Sequence, residues 1–181
     1  MKALIVVDAQ NDFVTGPLGT KEAQAAIPNI KKLIRDMTDE DGDTIIIATQ
    51  DTHYEKNYSE TLEGKKLPVF HCGYNTRGWE IVKEVADMIE PTTHCTIYKN
   101  TFGTEDIGDM VLDHIYPNPL EEIHICGFCT EICVAANAII LRAQFPNTPI
   151  YIHADACAGV TPESHNAALT VFAAQQMEVV R

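Results

Sequence analysis

Residues 1–13 read MKALIVVDAQNDF. The apolar run Ala3 to Val7 holds three β-branched residues and stops at the carboxylate of Asp8. A continuous apolar run this short has the pattern of a strand buried on both faces, as the strands of a parallel sheet are. Similar runs recur as TIIIAT (44–49), CTIYK (95–99), EIHIC (122–126) and PIYIHA (149–154), and EVV (178–180) reads as a closing edge strand. Between them the apolar spacing is helical: PNIKKLIRDM (28–37), GWEIVKEVADMI (78–89), EDIGDMVLDHI (105–115), TEICVAANAIILRAQF (130–145) and PESHNAALTVFAAQQM (162–177). Strand followed by helix, repeated along the chain, implies right-handed crossovers and a mostly parallel sheet covered on both faces. The expected fold is therefore an α/β doubly wound three-layer sandwich, forming a single domain over residues 1–181.

A chain of 181 residues buries roughly 70% of its unfolded surface and needs no covalent staples. Six cysteines in a chain of this size, with a strand rather than a signal peptide at its start, argue for a reducing compartment, so a cytoplasmic protein is expected. The five apolar residues of 3–7 are far fewer than the ~20 that span a bilayer. Twenty-six acidic against thirteen basic side chains give a net charge of -13, which argues against nucleic acid and anionic membranes as partners.

In doubly wound sheets ligands bind beyond the carboxyl ends of the strands. Asp8 follows the first strand, Asp51 the second, Lys99 ends the third, and Cys129 and Cys133 follow the fourth. The two long stretches without clear periodicity, 8–27 and 51–76, are also of the kind that carries function. Asp51 and His53 lie two residues apart, on one side of an extended segment, and His71 follows eighteen residues later. One carboxylate and two imidazoles make a plausible zinc or iron site.

The stretch CGFCTEICV (126–134) holds three cysteines, too few for a four-ligand zinc site, and no second paired cluster exists in the chain. Cys126 ends an apolar strand and is expected to be buried and inert. Thr130 is expected to cap the next helix, which would place Cys133 in the first turn, where the helix dipole favours a thiolate. Taken alone, a cysteine there is as readily a small buried side chain. His94, His114, His124, His153 and His165 are given no role.

Five motifs in this order resemble the isochorismatase-like cysteine hydrolases, nicotinamidase branch: LIVVDAQNDF (4–13), TQDTH (49–53), HC (71–72), YKNTFGTED (98–106) and CGFCTEICV (126–134). The resemblance covers nearly the whole chain and implies a six-stranded, mostly parallel sheet flanked by helices. It also implies a catalytic triad of Asp8, Lys99 and Cys133, an oxyanion hole from the backbone N–H groups of Cys129 and Cys133, and a cis peptide at Phe128–Cys129. Asp8 would then shuttle the proton, and Lys99 would orient it and lower the thiol pKa. Phe13 would line the substrate pocket.

Asp51, His53 and His71 would bind a divalent metal, zinc first, with iron or manganese as alternatives; Glu60 and Glu63 are the candidates for a fourth ligand. Pro68, in LPVFHC, stands where many such enzymes have a tryptophan. The implied activity is hydrolysis of a small amide, with nicotinamide first. A carbamoyl or ureido C–N bond is the alternative substrate, and a non-catalytic or redox protein using Cys129 and Cys133 is the alternative role. The family resemblance also implies a homo-oligomer.

Overall fold

A computed structural model describes residues 1–39, 43–90 and 93–181. Six strands, β1 (Lys2–Val7), β2 (Thr44–Asp51), β3 (Thr93–Lys99), β4 (Glu122–Phe128), β5 (Ile150–Ala158) and β6 (Glu178–Val180), form one sheet in the order β3-β2-β1-β4-β5-β6. Every pairing is parallel, so the sheet is wholly rather than mostly parallel. The central strands read as expected for burial on both faces: Leu4, Ile5, Ile45, Ile46, Ile47, Ile123 and Ile125 are fully buried.

Among the described residues eight α-helices accompany the sheet: α1 (Asn11–Val14), α2 (Lys21–Asp39), α3 (Glu55–Tyr58), α4 (Leu62–Lys66), α5 (Lys83–Ile89), α6 (Ile107–Ile115), α7 (Ala135–Gln144) and α8 (Pro162–Ala174). From β1 the chain steps outward in one direction to β3, then returns to β4 and steps the other way to β6. Right-handed crossovers then put α2 and α5 on one face and α6, α7 and α8 on the other. In keeping with this, α2 packs on α5 and α6 packs on α7. The direction reverses between β1 and β4, the topological switch point where such sheets bind ligands.

At that point the strands approach too closely for a side chain. Gly127 pairs with Val7, adopts φ 119°, and a Cβ there would lie 1.9 Å from the Val7 carbonyl oxygen. Only glycine occupies such a position without displacing the backbone.

Three helices differ from the sequence expectation. The helix expected at 28–37 begins at Lys21 and carries Pro28 inside it. The Thr20 hydroxyl caps it by accepting from the Ala23 N–H at 3.0 Å, and the added turns bury Ala23, Ala26 and Ile27. That burial offsets the one backbone bond a proline cannot donate.

The helix expected at 78–89 begins at Lys83, because residues 77–79 form a turn and the following residues are tied to the loop after β1. Asn11 Nδ2 donates to the carbonyls of Arg77 and Glu80, and Gln10 bridges Ile81. The helix expected at 130–145 divides into a π-helical turn, Thr130–Val134, followed by α7. Among the described residues no helix is long and apolar enough to cross a membrane.

Candidate active site and metal centre

Asp8, the residue after β1, adopts φ 46°, a left-handed conformation that aspartate tolerates better than most residues. Its N–H donates to the Thr49 carbonyl at 3.1 Å, and its side chain is fully buried. Carboxylate Oδ2 accepts from Lys99 Nζ at 2.6 Å, and Oδ1 accepts from the Thr49 hydroxyl at 2.7 Å. Cys133 lies near enough to the same carboxylate for Asp8 to raise its pKa. Three strand ends, β1, β3 and β4, thus bring together the carboxylate, amine and thiol that the sequence placed at its strand boundaries.

Burial raises the Asp8 pKa, with Asp51 adding to it, and the Lys99 charge opposes that rise. The Cys133 thiol is pushed well up, by burial first and the Asp8 charge second, again against Lys99. Lys99 lowers the thiol pKa in the expected direction, but burial and Asp8 outweigh it, so the resting site favours a protonated thiol rather than the thiolate expected from the helix dipole. Proton transfer from Cys133 to Asp8 nevertheless leaves the net charge of the Asp8, Lys99 and Cys133 group unchanged.

The expected Thr130 cap is also corrected. Cys129 occupies the N-cap position with no side-chain cap, and the Thr130 hydroxyl instead pairs with His165 Nδ1 at 2.8 Å. The Cys129 carbonyl accepts from Ile132 and Val134, passing over the Cys133 N–H that an α-helical turn would engage. The Phe128–Cys129 peptide bond is cis.

The metal candidates also converge, and α4 supplies a fourth member. The Thr61 hydroxyl caps α4 by accepting from the Gly64 N–H at 2.9 Å, which turns Glu63 inward, while Glu60 stays exposed. Donor atoms of Asp51, His53, Glu63 and His71 all lie within 4.8 Å of one another. Asp51 Oδ2 is 3.0 Å from His53 Nε2 and 3.3 Å from His71 Nε2, and Glu63 oxygens are 3.5 Å from His71 and 3.7 Å from His53. Ligands ~2.0–2.1 Å from a tetrahedral ion lie about 3.4 Å apart, so these separations fit a divalent metal.

Two further observations fit as well. His53 Nε2 is buried without a hydrogen-bond partner, and His71 Nδ1 lies 2.9 Å from the Val69 carbonyl, which leaves Nε2 directed into the cluster. Burial opposes charge on His71, yet hydrogen bonds to Asp51 and Glu63 push its pKa up to about 10. The cluster demands positive charge.

Thiol and metal cluster share one cavity of about 660 Å³. Phe13 lines it, with its ring centroid 5.7 Å from that of His71 in an edge-to-face arrangement.

The Isochorismatase domain family matches residues 2–181. The chain belongs to the isochorismatase family. It is 32% identical to the nicotinamidase of Schizosaccharomyces pombe, over 98% of this chain and 92% of that one. With the nicotinamidase of Saccharomyces cerevisiae it shares 30% identity over 77% of this chain and 80% of the other. The crystal structure of Pyrococcus horikoshii pyrazinamidase in complex with zinc superposes with a TM-score of 0.83, at 28% identity, covering 99% of this chain and 98% of that one. This isochorismatase-family member is a hydrolase acting on carbon–nitrogen bonds other than peptide bonds.

Several positioning residues of this family member escaped the sequence reading. Buried Asn137 donates to the Cys133 carbonyl at 2.8 Å and accepts from the Thr104 N–H at 3.1 Å, joining the turn that carries Cys133 to the loop after Lys99. Gln10 exchanges two bonds of 2.8 Å with the Asp51 backbone, and Asp12 Oδ2 accepts from the Cys72 N–H at 2.8 Å, next to His71. Tyr58 lies 3.3 Å from His71 Nδ1 and donates to the Leu67 carbonyl. Gln10 and Asp12 lie within the first resembling motif, and that was the only signal for them.

Proposed function

We propose that the protein, one domain over residues 1–181, hydrolyses a small aromatic amide through a Cys133 thioester, with nicotinamide as the first candidate. The observation that carries this reading is that Cys133 lines a largely apolar cavity together with Asp51, Glu63 and His71 of the metal cluster, and has the Asp8–Lys99 ion pair close to it.

Asp8 takes the thiol proton as Cys133 Sγ attacks the amide carbon. The oxyanion that forms is held by the backbone N–H groups of Cys129 and Cys133, the latter left unengaged by the Cys129 carbonyl. Protonated Asp8 then delivers its proton to the departing nitrogen, which leaves as ammonia. In the second half Asp8 takes a proton from water, which attacks the thioester, and the proton returns to the thiolate. Lys99, raised by Asp8, Cys133 and Asp51 against burial, stays charged throughout and orients the carboxylate.

Asp51, His53, His71 and Glu63 would hold a divalent metal, zinc first. Bound there, the ion supplies a Lewis acid beside the substrate ring. Phe13 packs against that ring.

The test is ammonia release from a panel of carboxamides and ureido compounds, with and without added zinc. Turnover of nicotinamide supports the reading, and turnover of ureido compounds alone moves the substrate to the other C–N bond. No turnover of any of them, by zinc-loaded protein, removes the reading.

A further inference from the structure

The cavity that ends on Cys133 is larger than a one-ring amide requires. At ~30 Å³ per water, its 660 Å³ would hold roughly 20 solvent molecules, and a single-ring carboxamide would displace fewer than half of them. Asp51, Glu63, His71 and Cys133 line it. Leu62 at the start of α4, Phe102 in the loop after β3, and Val160 in the loop before α8 line it as well. These three come from separate segments and are 75%, 49% and 54% exposed, yet all border the one cavity. A converging exposed apolar patch of this kind marks a binding surface, and here it is continuous with the site of chemistry.

We propose that the physiological substrate is an aromatic amide with an apolar substituent on its ring, and that the substituent lies against Leu62, Phe102 and Val160. The proposal rests on the amidohydrolase reading above and names its substrate class. A carboxamide bound at Cys133 leaves that part of the wall wet. An apolar arm removes both the arm and the wall from water, and each methylene so placed is worth roughly 10- to 200-fold in discrimination.

The test compares nicotinamide with nicotinamides carrying a butyl or phenyl group at each open ring position. For zinc-loaded wild type, kcat/KM is measured for each amide, and calorimetry gives the affinity of each corresponding acid. The expected result is at least a tenfold higher kcat/KM for one or more substituted amides, and a fall of that ratio to within twofold of one in Phe102→Ser/Val160→Ser.

If nicotinamide is hydrolysed and no substituted amide is favoured, the substrate class is overturned while the amidohydrolase reading stands. If no amide is hydrolysed, that reading fails, and the acids decide the apolar subsite: tenfold tighter binding of a substituted acid upholds it, and equal affinities overturn it. A dimer that dissociates in Val160→Ser, with no substrate preference in wild type, would overturn the proposal by assigning the patch to a second copy of the chain.

Discussion

Two helical segments start at the carboxyl edge of the sheet within hydrogen-bonding reach of each other, and their first turns are built in opposite ways. At α8, Pro162 sits at the first helical position, the Thr161 hydroxyl accepts from the Ser164 N–H, and the Ser164 hydroxyl pairs with the Thr161 N–H. A capping box and a proline at the first position together satisfy this helix start. At the turn that carries Cys133 no side chain caps the start, and a π-helical turn carries the Cys129 carbonyl past the Cys133 N–H. The capped start also braces the uncapped one: Glu131 accepts from the Val160 N–H at 2.8 Å and the Ser164 hydroxyl at 2.6 Å, and His165 reaches Thr130. Donors are satisfied where the helix has only to be stable and left uncapped where chemistry is proposed.

This contrast gives a ranked set of outcomes. Cys133→Ala should lower kcat by at least ~10⁴-fold while the protein stays folded, since it removes the nucleophile and leaves the turn's backbone bonds in place. Circular dichroism and ammonia release check both halves of that statement. Asp8→Asn should cost ~10²–10⁴-fold in kcat and, by stranding the buried Lys99 charge, about 3–5 kcal/mol of stability in urea unfolding.

The pH dependence of the wild type follows from the same carboxylate. As the proposed base, Asp8 can accept the thiol proton only when ionised, and burial raises its pKa, so activity should fall on the acid side at a pH above the ordinary carboxylate range. A pH profile of kcat/KM reads that limb, and the residual activity of Asp8→Asn should lack it.

Glu63→Gln should weaken metal binding by roughly 10–100-fold, read by zinc titration against a competing chelator, because it removes a charged donor from the cluster. Glu60→Gln should leave the affinity unchanged. Smallest is Thr161→Ala, which should cost about 1 kcal/mol in urea unfolding and keep kcat/KM within twofold. A large activity loss there would mean that the cap of α8 and the turn that carries Cys133 are not separable.

The strands were legible because five short apolar runs end at polar or reactive residues, and a parallel sheet makes each such end a position at the binding edge. Asp8, Lys99 and Cys133 could be placed there before any distance was known. The π-helical turn could not, since TEICVAANAIILRAQF carries uninterrupted helical spacing and the two kinds of turn differ by one residue in a backbone bond. Pro28 concealed the start of α2, because a proline reads as a boundary while burial of Ala23, Ala26 and Ile27 extends the helix beyond it. The choice of Glu63 over Glu60 rested on one cap, Thr61, inside a segment without periodicity. The protonated thiol was missed because its proximity to Asp8 and its burial are properties of the assembled edge, not of the local sequence.

The central claim is that Cys133 carries the acyl group. Acid quenching of wild type during turnover of its best amide, followed by peptide mass spectrometry, tests this directly. The account predicts an acyl adduct on the peptide containing Cys133 that disappears when substrate is exhausted, with neither adduct nor ammonia from Cys133→Ala. Ammonia release by Cys133→Ala at the wild-type rate would contradict it.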